Sequence, residues 1–393
     1  MKKIGVGDFR IGPEERAEIN EVLDSNWVSE GPKVNLFQSE WAKFIGTKHS
    51  VVLNSGTSAI MAGLTSLSLH SKVKKGRKVI TSALTYIATA NAVSLSHHEP
   101  VFADIGKSGL LIDPEKVAEI LENDKNGDYS VLMPVHIMGY PCDMDKLNAI
   151  AKKHGLVTFE DSAQAHGTFY KGKRTGSLSM LSDFSFYVAH NIAAGEMGTI
   201  NTNDDELLEL ITKIKSSSKS GGRRMVADKT AYALEDEFKP FFHDTISYNF
   251  KATEFQAALA RTQIRHADEI IKARQENVKY LNEGLSKFDK FIELPAHSKD
   301  VSYLSYPIII KDIKKFQRLK VREALAKKGI ESRALFGSIP LHQPAYHHLK
   351  KQYAGKLPNS ERVGLAGFYI GCHQLLSKED LDVIIKSFSE IFH

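Results

Sequence analysis

Val51-Val52-Leu53-Asn54-Ser55-Gly56-Thr57-Ser58-Ala59 is a short apolar run that breaks into small, hydroxylated residues. Three aliphatic residues bounded by turn formers read as a short buried strand, and from Ser58 to Leu69 the pattern becomes helical. Gly56 lets the backbone turn tightly, Thr57 and Ser58 supply hydroxyls, and the first amides of the new helix point at the gap. That junction is a phosphate cradle by geometry. A plain helix N-cap uses the same residue types, so this turn alone leaves both readings open.

Working outward, the same alternation continues from residue 14 to about 200. Lys78 to Ile80 predicts a strand and Ile87 to Leu95 a helix. Val131 to His136 predicts a strand and Met144 to His154 a helix, and strands at Leu156 to Glu160 and Phe184 to Tyr187 complete the run. Strands alternating with helices predict an α/β fold with a parallel sheet covered on both faces. Ligands of such sheets gather at the carboxyl ends of the strands. From Ala252 to Ser286 the periodicity is continuously helical, as in a long connecting helix. An alternating strand at Val301 to Ile310 follows, then helices at Lys314 to Lys328 and Lys378 to Ile391, which together read as a smaller α+β domain. The expected division is a large domain over 1–265 and a small one over 266–393.

Composition restricts the class. The 393 residues are 42% hydrophobic and 25% charged, which is ordinary globular protein with room for two domains. No apolar stretch approaches the roughly 18–20 residues that span a bilayer, and the N-terminus lacks a signal-peptide core, so a cytoplasmic protein is expected. Two cysteines, Cys142 and Cys372, are too few for a disulfide framework, and no metal-ligand spacing surrounds them, so no metal site is expected. The net charge of +5 collects in Lys72 to Lys78 and Lys213 to Arg224. These clusters read as solvated loops and helix ends, or as attraction for an anionic substrate such as a nucleotide diphosphate. No nucleic-acid module accompanies them.

Three further motifs fall at strand ends. Phe159-Glu160-Asp161-Ser162-Ala163-Gln164-Ala165-His166-Gly167 ends a strand with an acid at its tip. A carboxylate there suits a protonated pyridine nitrogen and would make such a ring an electron sink; a turn or helix cap is the other reading. Gln164 is placed to hydrogen-bond a ring hydroxyl, and His166 reads as structural. Tyr86, in Thr85-Tyr86-Ile87-Ala88-Thr89, either stacks on a flat ring or sits as a core tyrosine. Ser185 to Glu196 runs from a strand into a glycine-containing turn that carries His190.

The order and spacing of these motifs resemble the DegT/DnrJ/EryC1/StrS sugar aminotransferases, which have the aspartate aminotransferase fold. The resemblance runs from Gly12-Pro13-Glu14-Glu15 and Trp27 to Pro32, through Asn54 to Ala59, Val135 to Met144 and Glu160 to Gly167, to Tyr248-Asn249-Phe250-Lys251-Ala252-Thr253-Glu254-Phe255-Gln256. It implies a type I pyridoxal 5'-phosphate fold, a mostly parallel mixed sheet with a smaller C-terminal α+β domain. Gly56, Thr57 and Ser185 would hold the cofactor phosphate, joined by Asn249 from a neighbouring subunit, which implies a homodimer with shared sites. Asp161 would pair with the pyridine nitrogen, Gln164 would sit by the ring hydroxyl and Tyr86 would stack on the ring.

The departure is His190, which stands where the family usually has the lysine that binds the aldehyde covalently. A histidine moves protons but cannot make that bond. The family branch with this histidine is the sugar 3-dehydratases of the GDP-4-keto-6-deoxymannose type. It implies pyridoxal or pyridoxamine 5'-phosphate, glutamate as amino donor and a nucleotide-linked 4-keto-6-deoxyhexose as substrate, in surface (lipopolysaccharide) polysaccharide biosynthesis. An imidazole, with an ordinary pKa of about 6.5, suits such proton transfer. The branch that uses an iron–sulfur cluster needs more cysteines than these two. An aminotransferase with His190 natural or engineered in the lysine's place stays open, as does a binding protein on the same scaffold. Arg333 is a candidate partner for a phosphate or carboxylate. His342, His347, His348 and His373 read as solvated surface residues, with lining of a substrate site as the other reading.

Overall fold

The computed structural model describes residues 3–216, 243 and 245–392. In chain order the N-terminal part holds β1 (His49–Leu53), β2 (Lys78–Ser82), β3 (Glu99–Ala103), β4 (Tyr129–Met133), β5 (Val157–Asp161), β6 (Phe169–Tyr170), β7 (Lys173–Arg174), β8 (Leu181–Ser185) and β9 (Gly198–Thr202). Strands β6 and β7 form a separate hairpin, and the other seven make one sheet in the order β1-β9-β8-β5-β4-β2-β3. From β8 to β3 every neighbouring pair is parallel. Strand β9 runs antiparallel to both β8 and β1, so the sheet is mixed.

Helices α1 (Pro13–Ser25), α2 (Pro32–Ile45), α3 (Gly56–Leu69), α4 (Ile87–Leu95), α5 (Pro114–Glu122), α6 (Met144–Lys153) and α7 (Asp205–Lys215) belong to the same part. Helix α3 packs so closely on β5 and β8 that a Cβ on Gly63 would lie 2.7 Å from the Phe159 ring and 2.9 Å from Leu181 Cδ2. A glycine is therefore required for that approach.

Beyond α8 (Glu254–Arg265) and α9 (Ala267–Leu285) lies a second sheet, β10 (Ile292–Glu293), β11 (Tyr306–Ile310), β12 (Ser332–Ala334) and β13 (Gly367–Ile370), in the order β10-β11-β13-β12 and antiparallel throughout. Helices α10 (Arg318–Lys327), α11 (Lys350–Tyr353), α12 (Pro358–Ala366) and α13 (Lys378–Ile391) accompany it. Its core runs through Tyr306, Ile308, Leu325, Phe368, Ile384 and Phe388.

Several boundaries differ from expectation for identifiable reasons. The continuous helix over 252–286 is two helices that break at His266 (φ −102°, ψ 12°), where Arg265 and His266 both bond Glu14 of α1. The strand expected over 301–310 begins only at Tyr306, because Arg274 of α9 takes the Tyr303 and Leu304 carbonyls at 3.1 and 2.8 Å. Those carbonyls are lost to ladder pairing. Strand β4 stops at Met133, ahead of Pro134, which has no amide to donate. Strand β8 ends at Ser185 rather than Tyr187. Strand β9, Gly-Thr-Ile-Asn-Thr, has too little apolar character to be seen in sequence, yet it is buried between β1 and β8.

Candidate active site

The carboxyl ends of β5 and β8, the start of α3 and the loop before α4 converge on a cavity of about 330 Å³. Gly56, Thr57, Tyr86, Asp161, Gln164, Ser185 and His190 all line it, as do Arg333 of β12 and Tyr369 of β13 from the second sheet. Asn249 does not: it is exposed, in an isolated bridge to Ser216.

The turn before α3 is a real cap. Ser55 is the N-cap, and its Oγ accepts from Ser58 N at 3.1 Å and contacts Ser58 Oγ at 2.8 Å. A Cβ on Gly56 would come within 2.6 Å of Ser185 Cβ, so glycine keeps open the space between the helix start and the end of β8. The positive end of a helix dipole faces that space, as an anion requires.

Asp161 is buried at the tip of β5. Its Oδ2 accepts from Thr89 Oγ1 at 2.7 Å, Thr89 meets Thr85 Oγ1 at 2.8 Å, and Oδ1 accepts from Ala163 N at 3.2 Å. Burial pushes this carboxyl above its ordinary range; the bonds from Thr89 and Ala163 and the charge of His136 oppose the shift. Gln164 is anchored by its Oε1, which accepts from Met138 N at 2.8 Å, and this leaves its amide NH₂ as the group available to donate. Tyr86 is no core residue: it is 56% exposed at the cavity mouth, edge-on to Phe336 at 5.7 Å.

His190 Nδ1 lies 2.6 Å from the Ser185 carbonyl. A carbonyl only accepts, so Nδ1 carries the hydrogen and the neutral ring keeps its lone pair on Nε2. Desolvation, helped by the charge of Arg274, pulls this histidine down to about 4 against the bond to Ser185. His166 packs behind it, stacked on Phe186 at 5.2 Å and edge-on to Trp41 at 5.5 Å, with Nδ1 accepting from Ile192 N at 3.2 Å. Among the described residues that line the cavity there is no lysine.

Sequence reasoning missed Asp183. It lies two residues before Ser185 on β8, lines the cavity and is fully buried, and among the described residues neither carboxyl oxygen has a hydrogen-bond partner. Burial, and then the charge of Asp161, push it well above the usual carboxylate range. The parity of a strand would have pointed to it, because residues two apart share a face. The expected basic cluster at Lys72 to Lys78 is elsewhere, with Lys74, Lys75 and Arg77 on a hollow of about 830 Å³ at the amino ends of β2 and β4. Of the second cluster, residues 217–224 fall outside the described residues. His347 and His348 are exposed, whereas His373 is buried and His342 is half-buried, its Nδ1 accepting from Ser338 N; none of the four lines the cavity.

The residues present fit pyridoxal 5'-phosphate: a helix start with room made by Gly56, two buried carboxyls and Tyr86 line one cavity of about 330 Å³. Comparison with known proteins agrees. The chain is 33% identical over 390 residues to the spore coat polysaccharide biosynthesis protein SpsC of Bacillus subtilis, covering 97% of this chain and 95% of the relative. It is 29% identical over 399 residues to the dTDP-4-dehydro-2,6-dideoxy-D-glucose 3-dehydratase of Saccharopolyspora spinosa, covering 97% and 84%. Its structure superposes on PseC of Helicobacter pylori, an aminotransferase involved in pseudoaminic acid biosynthesis, with a TM-score of 0.85 and 26% identity, covering 100% and 99% of the two chains. Residues 10–389 match the model of one family, and the chain therefore belongs to the DegT/DnrJ/EryC1/StrS aminotransferase family, whose members are pyridoxal-phosphate-dependent sugar aminotransferases and dehydratases.

Proposed function

We propose that the protein removes the C3 hydroxyl of a nucleotide-linked 4-keto-6-deoxyhexose, with glutamate as amino donor, in cytoplasmic synthesis of a surface polysaccharide. One observation carries this reading: a histidine with a free Nε2, and no lysine among the described lining residues, stands in the cofactor cavity. A transaminase normally needs the lysine both to hold the aldehyde and to shuttle its proton.

Pyridoxamine phosphate, when bound, supplies an amine for the sugar ketone and a ring that stores electrons. The protein's own residues do the rest. Gly56, Thr57 and Ser185 hold the phosphate, with Asn249 reaching it from the partner of a homodimer. Asp161 holds the ring nitrogen, Gln164 donates to the ring oxygen and Tyr86 covers the ring face. His190 Nε2, unprotonated because of its low pKa, would accept a proton beside the cofactor and would deliver it to the departing C3 hydroxyl. Arg333 draws the anionic end of glutamate or of the nucleotide into the cavity. Residues 1–265 act as the large cofactor-binding domain, and residues 266–393, the small domain, contribute Arg333 and Tyr369 to the cavity wall.

The test is incubation with pyridoxal phosphate, glutamate and GDP-4-keto-6-deoxymannose. Free ammonia and a C3-deoxygenated sugar by NMR are the expected products. A sugar that retains nitrogen at C4 would instead make the protein an aminotransferase, the reading favoured by the full-length match to PseC. Failure to bind pyridoxal phosphate at all, read by absorbance, would overturn both.

A further inference from the structure

Asp161 and Asp183 are register partners on adjacent parallel strands, which run about 4.8 Å apart. Phe159 and Leu181, each two residues earlier, both face α3, and Ser185 faces Gly56 at the start of that helix. Strand alternation therefore places Asp161, Asp183 and Ser185 on one face of the sheet, the face that opens on the cavity. Asp161 is served by Thr89 and by the Ala163 amide. Asp183 has no such support: among the described residues neither of its buried oxygens has a side-chain donor or a neighbour's amide, and only its own backbone amide favours the charged form.

A carboxylate stripped of water, with only its own backbone amide to oppose the shift, is too costly to keep ionised beside a second carboxylate. Among the described residues the elements packed on it supply no cation, and the charge of His136 acts on Asp161. Helix α3 and strand β9 carry no ionisable residue, Asp161 faces it from β5, and the nearest basic group along its own segment, His190, is neutral.

We propose that Asp183 is a positioning residue of the cofactor site, a second carboxyl that together with Asp161 keeps the ring nitrogen of the bound cofactor protonated. The pair holds one proton when the site lacks a ring cation, and it can hold a second negative charge against that cation once the ring is bound. The proton thus leaves Asp183 only when a positive ring nitrogen is there to compensate. Two carboxylates favour a pyridinium over a neutral pyridine more strongly than Asp161 alone. Asp183 therefore extends the pH range over which the ring acts as an electron sink.

This inference rests on the pyridoxal-phosphate reading, so binding of pyridoxamine phosphate by the unsubstituted protein is measured first, by fluorescence quenching; no binding there sinks the cofactor reading itself. The test proper compares the unsubstituted protein with Asp183→Asn, which keeps the shape of the neutral acid, and with Asp183→Ser as a second variant. Ring-¹⁵N-labelled pyridoxamine phosphate reports protonation of the ring nitrogen directly by NMR across pH 6 to 10. In both variants the midpoint should fall by about one unit, with the dissociation constant unchanged at pH 6 and raised about tenfold at pH 9. An unchanged midpoint, or a loss of affinity that is uniform across pH, would assign Asp183 a purely structural role and overturn the proposal.

Discussion

His190 gains its chemistry from one hydrogen bond. The Ser185 carbonyl fixes its tautomer, and desolvation keeps it neutral down to about 4. His190→Asn should cut turnover by about 10²-fold or more while pyridoxamine phosphate still binds, as measured by kcat and by fluorescence quenching side by side. The acid limb of kcat/KM should lie well below 6.5; a midpoint at about 6.5 would show the ring to be unperturbed. The sign for stability follows from linkage. The unfolded histidine titrates at about 6.5 and the folded one lower, so the unfolded chain binds more protons between those values. Stability is lost as pH falls through that window, and His190→Asn should lessen the loss in acid melts. Asp183 has the opposite dependence. Its raised pKa means that the folded state holds the proton longer, so stability falls as pH rises above about 4. Asp183→Asn should raise the melting temperature by about 2 °C at pH 8, and by less at pH 5.

Among the elements, the start of α3 carries the most consequence, because one turn caps the helix and shapes the anion cradle. Ser55→Ala removes the acceptor for Ser58 N and should cost about 1 kcal/mol in urea denaturation, with weaker cofactor binding. Gly56→Ala should leave the helix formed but impair phosphate binding, since its Cβ would press on Ser185 at 2.6 Å. Comparing inorganic phosphate competition in the two variants separates loss of the cap from loss of space. At the end of α8, the His266 break gives α9 its own direction, and the Arg274 it carries reaches the carbonyls of Tyr303 and Leu304. No periodicity signals that break, because the apolar pattern continues through it.

At the scale of the molecule, Asn249 stands apart from the cavity of its own chain, and apolar side chains beside the site are exposed, among them Tyr86 at 56% and Val188 at 40%. The proposed homodimer would cover them and lend Asn249 across its interface. Mixing His190→Asn with Asn249→Asp subunits, each inactive alone, should restore about a quarter of the original activity, because half of the dimers would be mixed and each would hold one intact site. No restored activity after subunit exchange, with dimers confirmed by ultracentrifugation, would place Asn249 in its own subunit's chemistry or in none. Among the described residues no helix is long and apolar enough to cross a membrane.

Much of this was legible in the chain because it is local. Short apolar runs followed by Gly, Ser and Thr mark strand-to-helix turns, and a parallel sheet collects what those turns carry, so Gly56, Thr57, Asp161, Gln164, Ser185 and His190 line one cavity. The absence of a lysine at position 190 is likewise a fact of sequence. What folding supplied is contact between distant segments. Strand β9 is a strand because β1 and β8 pair with it on both sides. Tyr86 is at the cavity mouth rather than in the core because α4 turns it outward. Asp183 became chemically unusual only when burial removed its water and registry set it beside Asp161. Residue identity states which protons can move; dielectric surroundings and neighbouring charge, which arise only on packing, set where they rest.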